Sequence, residues 1–317
     1  ILRGLNFVPV RFRSAALVKS GGNVELTAFP LFFCLGWRRL KMKSVLLIGQ
    51  SNMAGRGFLH EVKPIYNENI LMLRNGRWQM MAEPIHFDRS VAGIGPAASF
   101  AQAWCNANKN EQVGLIPCAE GGSSIDEWNV EGALFRHAIS EAKFAMETSD
   151  LIAILWHQGE SDSHSGKYKD YYQKLNVMVN SFRKELGVLE VPFIVGGLGD
   201  YLGKSAFGRS CVEYELVNQE LLRYAENNSN CYFVTGEKLY SNPDGIHINA
   251  ESQRRFGIRY YEAYQTKSNL NKSLDGEAEI VKVYCEKEHT IAEKRYMALE
   301  QFTLGKNSLE EVMEFLK

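Results

Sequence analysis

The sequence predicts an α/β domain in which a parallel sheet is wrapped on both sides by helices. Three observations carry this expectation. First, short apolar runs without polar alternation recur along the chain: V-L-L-I at 45–48, V-G-L-I-P at 113–117, L-I-A-I-L-W at 151–156, V-P-F-I-V at 191–195 and C-Y-F-V at 231–234. Such runs suit strands buried on both faces, and they predict a central sheet of five parallel strands. Second, segments with helical spacing lie between the runs, as crossover connections require. Third, several runs end abruptly in glycine and polar residues, at the strand ends where open α/β sheets hold their ligands.

The bounds agree with this class. The chain has 317 residues, enough for one large α/β domain with additions or for two domains. It is 45% hydrophobic and 23% charged, with formal net charge −1. That balance gives no basic excess to bind nucleic acid. The six cysteines form no C-x-x-C pair and read as small buried hydrophobes, not as a disulfide framework or a zinc site.

Residues 1–41 differ from the rest. Arg3, Arg11, Arg13 and Lys19 precede an apolar patch over 26–37 that is broken by Pro30 and followed by Arg38, Arg39 and Lys41. The patch is too short to span a bilayer. The preferred reading makes Met42 the natural start, residues 1–41 an extension outside the fold, and the location cytoplasmic. A secretory leader is the alternative, although no small-x-small cleavage site follows the patch.

The first strand opens the domain and runs into G-Q-S-N-M-A-G-R-G at 49–57. A serine just past a buried strand is commonly a helix N-cap. The same position also suits a nucleophile whose own N–H can reach an oxyanion. The stretch lacks the patterns of a P-loop, a dinucleotide fingerprint or a G-x-S-x-G elbow. Asn75-Gly76 between apolar runs predicts a hairpin. Residues 95–104 read as a helix with Phe100 and Trp104 on one face.

The second strand leads into Gly121-Gly122-Ser123-Ser124, where a glycine lets the backbone approach a ligand and offers an N–H. Trp128, with Asp126 and Glu127, suggests a polar, aromatic platform for a sugar beside Gly122. A helix follows at 134–146. The third strand ends in His157-Gln158-Gly159-Glu160. Gln158 brings an amide able to donate to an oxyanion, Glu160 brings a carboxylate, and His157 can brace the loop.

Helices at 168–186 and 213–227 flank the fourth strand. After the fifth comes the turn N-P-D-G-I-H-I-N at 242–249. Asp244 lies three residues before His247, so its carboxylate can accept from the imidazole and fix its tautomer. A helix at 252–264 carries Phe256, Tyr260 and Tyr264 as a packing stripe. The domain is thereby expected to span 42–268. Residues 269–317 then read as a helical appendage: a polar loop at 269–279 and helices at 290–302 and 308–315, the last opened by the capping-box pattern Ser308-x-x-Glu311.

Together these segments supply Ser51 as nucleophile, His247 as base, Asp244 as its partner, and Ser51, Gly122 and Gln158 as oxyanion donors. That is the checklist for acyl transfer. Glu160, Gly121, Gln50 and Asn52 are secondary candidates, and Glu160 competes with Asp244 for the role of orienting His247.

The four motifs G-Q-S-N-M, G-G-S-S-I, H-Q-G-E and D-G-I-H, in this order, resemble the SGNH hydrolase superfamily. Within it they resemble the sialate O-acetylesterase-like group that contains the acetylxylan esterases of carbohydrate esterase family six. The resemblance implies a flavodoxin-like three-layer α/β/α sandwich and a serine esterase, without metal or cofactor, that removes O-acetyl groups from sugars or oligosaccharides. It implies no nucleic-acid or membrane partner. Two other readings are a catalytically silent carbohydrate-binding protein on the same fold and a short-chain lipid or thioester hydrolase.

Overall fold

The computed structural model describes residues 41–285 and 287–316, with the side chains of 315 and 316 left aside. The expectations for residues 1–40, extension or leader, and for Cys34 lie outside the described residues.

The chain forms strand β1 (Met42–Gly49), the single turn α1 (Ser51–Ala54), a hairpin of β2 (Ile70–Arg74) and β3 (Arg77–Met80), then helix α2 (Ala97–Ala107) and β4 (Val113–Pro117). Helix α3 (Ala133–Met146), β5 (Ser149–His157), α4 (Tyr168–Leu186), β6 (Phe193–Gly196), α5 (Tyr214–Asn227), β7 (Cys231–Val234) and α6 (Ala250–Thr266) complete the alternation. Three more helices follow: α7 (Glu277–Cys285), α8 (Ile291–Thr303) and α9 (Leu309–Leu316).

The sheet runs β3-β2-β4-β1-β5-β6-β7. Its last five positions have the flavodoxin-like order 2-1-3-4-5 when the five expected strands are numbered along the chain. All pairs are parallel except β2–β3. The five-stranded expectation therefore needs correction to seven. The hairpin does form, with Asn75 and Gly76 both at positive φ as a primed turn requires. It adds itself to the edge through β2 pairing with β4.

The β1 run shows why no alternation was visible. Leu46 and Ile48 pack on one side with Phe135 of α3, Phe182 of α4 and Leu221 of α5. Val45 and Leu47 pack on the other with Phe100 of α2 and Tyr260 of α6. Side chains alternate between faces, and both faces are covered. All four residues are fully buried, and burial of each contributes about 2 kcal/mol.

The segment after α6 is an outer layer of the same unit, since the described residues from 41 onward cluster as one body. Leu270 exchanges backbone hydrogen bonds with Phe233 and Thr235 beside β7. Glu277 forms a buried ion pair with Arg259 of α6, and Glu293 accepts from the Glu68 N–H at 3.0 Å. Helix α7 occupies part of what reads in sequence as a loop. Ile280, Val281 and Tyr284 pack against the core on the α2/α6 side, so docking stabilises a helix whose own pattern is weak. Among the described residues no helix is long and apolar enough to cross a membrane.

Candidate active site

The C-terminal ends of β1, β4 and β5 and the loop between β7 and α6 meet along one edge of the sheet. At the end of β1, Gly49 has φ +128° and a Cβ there would strike the His157 backbone. Glycine lets β1 and β5 stay in close contact up to the turn that carries Ser51. Ser51 itself is 5% exposed.

The loop at 242–248 is shaped by Asp244. Its Oδ1 accepts from the backbone N–H groups of Ile246 and His247, both at 3.0 Å. Its Oδ2 lies 2.7 Å from His247 Nδ1. With Nδ1–H held by the carboxylate, Nε2 is the basic nitrogen of the ring. Partial burial pushes the Asp244 carboxyl up. The His247 and Ile246 N–H groups and the His247 ring outweigh it and hold the carboxyl below the usual carboxylate range.

Of the two carboxylates competing for the His247 ring, Asp244 is the one that meets it. Glu160 points inward, to His157 Nε2 at 3.2 Å and to the Asn52 amide. Glu160 and His157 are both buried. Burial pushes the Glu160 carboxyl up, but the charge and hydrogen bond of His157, with the Asn52 amide, hold it below its ordinary value.

Asn52 ties the serine turn to the histidine loop. Its Oδ1 accepts from Ile248 N–H at 2.8 Å, and its Nδ2 donates to the Ile246 carbonyl at 3.1 Å. These peptide groups flank His247, so the histidine is fastened to the residue next to Ser51.

In the loop after β4, the Gly121 N–H donates to Asp88 Oδ2 at 2.8 Å. Asp88 in turn forms a buried ion pair with Arg56. Gly122 has φ +81° and open space where a Cβ would sit. Its N–H makes no hydrogen bond among the described residues.

Two expectations need correction here. Gln158 is fully buried, and its Nε2 donates to Gln50 Oε1, the Ser123 carbonyl and Asp162 Oδ2. Its Oε1 accepts from Tyr171. An amide with two hydrogens already engaged by three enclosed acceptors has none to offer a substrate. Gln158 instead binds the strand ends together. Trp128 is likewise fully buried, with its indole N–H donating to Ser123 Oγ at 3.0 Å. It braces the glycine loop from within the core and presents no face to a sugar.

Gln50, next to Ser51, is also buried, at 2% exposed. Its Oε1 accepts from Gln158 and from the Gly159 N–H at 3.2 Å. These bonds use the oxygen of the amide, and Nε2 donates no hydrogen bond among the described residues.

Sequence reasoning missed Asp88 and Arg56. Both lie in irregular segments, where no periodicity marks a buried ion pair. Asn242, which donates to the Arg56 carbonyl at 2.9 Å, was also invisible as a tie.

A cleft of about 480 Å³ opens beside His247 and Asp244, lined also by Arg56, Phe58, His60 and Val91. Phe58 is 42% exposed and stacks on His60 at 5.8 Å. A larger hollow of about 830 Å³ lies at the opposite edge of the sheet, among Trp104, Pro192, Asn230 and Tyr264. It contains none of the nucleophile or base candidates. Among the described residues no group of three or more His, Cys, Asp or Glu side chains is arranged to hold a metal ion.

The chain is similar to known proteins over the region that builds this edge. A probable carbohydrate esterase of Arabidopsis thaliana is 29% identical over 246 residues, covering 69% of this chain and 88% of that protein. The X-ray structure of that Arabidopsis protein superposes with TM-score 0.65 at 27% identity, covering 71% of this chain and 98% of its own. The crystal structure of NanS shares the fold, with TM-score 0.59 at 15% identity over 72% of this chain and 98% of its own. The model of the family described as "carbohydrate esterase, sialic acid-specific acetylesterase" matches residues 41–266. By that match the chain belongs to this carbohydrate esterase family and is a carboxylic ester hydrolase.

Proposed function

We propose that the protein removes O-acetyl groups from carbohydrates by a two-step acyl transfer through Ser51. The observation that carries this reading is the His247–Asp244 pair at 2.7 Å, on a loop fastened by Asn52 to the serine turn. Ser51 Oγ attacks the acetyl carbonyl carbon while His247 Nε2 takes its proton. The tetrahedral oxyanion is met by the N–H groups of Ser51 and Gly122, and by Gln50 Nε2 in the role expected of Gln158. Each donor contributes about 3 kcal/mol to barrier lowering. Collapse breaks the bond to the sugar oxygen, which leaves with the proton from His247. Water then attacks the acetyl-serine, His247 takes its proton, and acetate departs as Ser51 recovers its hydrogen.

The carbohydrate reading is supported by the family and by the name of the Arabidopsis relative. The cleft beside His247 also suits it, since the half-exposed Phe58 ring can lie against the apolar face of a sugar.

The test is hydrolysis of p-nitrophenyl esters from acetate to octanoate, with acetate release from acetylated xylo-oligosaccharides and from O-acetylated sialic acid. Expected are turnover that falls with chain length, release of acetate from at least one sugar, and loss of both in Ser51→Ala and His247→Ala. Undiminished turnover in Ser51→Ala would overturn the mechanism. A preference for octanoate would overturn the substrate class.

A further inference from the structure

We propose that Asn52 is a positioning residue that sets His247 in register with Ser51. This rests on the acyl-transfer reading and deepens it. Asn52 is fully buried, so it does not meet substrate. Its side chain makes three contacts, and two fall on the peptide groups immediately before and after His247, the Ile246 carbonyl and the Ile248 N–H. The third is the Glu160 carboxylate. The Asn52 backbone is held as well, with its carbonyl accepting from Gln253 Nε2 of α6 at 3.0 Å.

The geometry separates two tasks. Asp244 sets the orientation of the His247 ring, because it bonds Nδ1 and the two N–H groups of its own turn. All those bonds lie within one loop, and none fixes where that loop stands relative to β1. Asn52 supplies that fix from the residue adjacent to Ser51. An amide is the side chain suited to the task, because one flank of His247 presents an acceptor and the other a donor. A carboxylate can meet only the donor. Glu160, braced by His157, keeps the amide from rotating away: with Nδ2 shared between the Ile246 carbonyl and a buried anion, Oδ1 must face Ile248.

A displacement on the order of 1 Å between nucleophile and base costs about 10²-fold in rate. Asn52→Ala is therefore expected to lower kcat for p-nitrophenyl acetate about 100-fold with KM changed less than threefold. Asn52→Ser keeps a short polar group that cannot span both flanks of His247 and places no charge against Glu160, so about a tenfold loss is expected. It also provides a measurement if the alanine variant fails to fold.

The decisive comparison places each substitution in a His247→Ala background. A positioning residue has nothing left to position there, so the residual rate falls no further. A residue needed only for folding lowers the folded fraction, and hence the rate, by the same factor in both backgrounds. That equal loss overturns the proposal. So does a full kcat in Asn52→Ala while Ser51→Ala and His247→Ala are inactive. If His247→Ala itself turns over at the wild-type rate, the acyl-transfer reading fails instead.

Discussion

Two histidine–carboxylate pairs lie at the same edge of the sheet, and each is built from residues three apart. In Asp244–His247 the nitrogen–oxygen distance is 2.7 Å and the side chains are 26% and 24% exposed. In His157–Glu160 the distance is 3.2 Å and exposure is 0% and 1%. The outer pair borders the cleft. The inner pair is closed off, with Phe256 set edge-on against His157 and His157 Nδ1 enclosed with no hydrogen-bond partner among the described residues. Equal spacing provides equal pairing chemistry. Access then divides the roles, because a base must reach the proton it takes, whereas a buried pair can act only through the groups it holds.

The largest effect separates the pairs directly. His247→Ala is expected to lower kcat/KM for p-nitrophenyl acetate by about 10⁴-fold or more while stability changes little. Kinetics with a thermal melt on the same sample checks both halves. Glu160→Ala should show the reverse pattern. Removing one partner of a buried pair costs about 3–5 kcal/mol of stability, with at most about a tenfold loss of turnover per folded molecule. Urea unfolding measures the first and active-site titration the second. A stable Glu160→Ala protein without turnover would make the inner pair the chemical one and reverse the comparison.

A smaller effect contrasts the two buried glutamines, one with an engaged amide donor and one without. Gln50→Glu removes the unengaged donor and is expected to lower kcat about 10²-fold. Gln158→Ala leaves buried acceptors unpaired and is expected to cost about 1–3 kcal/mol of stability. Turnover per folded molecule should fall less than in Gln50→Glu. A larger catalytic loss at Gln158 would return the oxyanion role to it.

The smallest effect concerns pH. The folded-state Asp244 carboxyl lies below its ordinary value. Its stabilising contribution is therefore present above the ordinary carboxylate value of about 3.9 and is lost as pH falls through the lower folded value. The melting-temperature difference between wild type and Asp244→Ala is expected to shrink as pH falls from about 4 through the lower folded value. A difference that grows over that acid range would contradict the depressed carboxyl.

Much of this edge was legible in the chain. A serine turn after a strand, a glycine loop after another and D-G-I-H before a helix are local patterns, and each lies where the sheet delivers it. The inner pair was legible only as residues. Nothing in H-Q-G-E states that His157 and Glu160 face inward while Asp244 and His247 border the cleft. The apolar run of β5 ends at His157, yet burial continues through Gln158, Gly159 and Glu160 because α6 and the 211–217 segment close over them. The hairpin shows the same limit. Asn75-Gly76 specified its turn, but its place on the sheet edge depended on β4, about forty residues away.

By itself, the sequence determined the five central strands, the turns and the short spacing that lets Asp244 reach His247. These depend on periodicity, backbone conformation and short-range hydrogen bonds, which neighbouring residues settle among themselves. Only the tertiary structure decided that Asp244 and not Glu160 meets His247, that Gln158 and Trp128 are enclosed with their donors engaged, that α7 is a docked helix, and that Asn52 spans from the serine turn to the histidine loop. Each of those outcomes is set by what a distant segment places over or beside the residue, since burial and hydrogen-bond satisfaction belong to the packed chain as a whole.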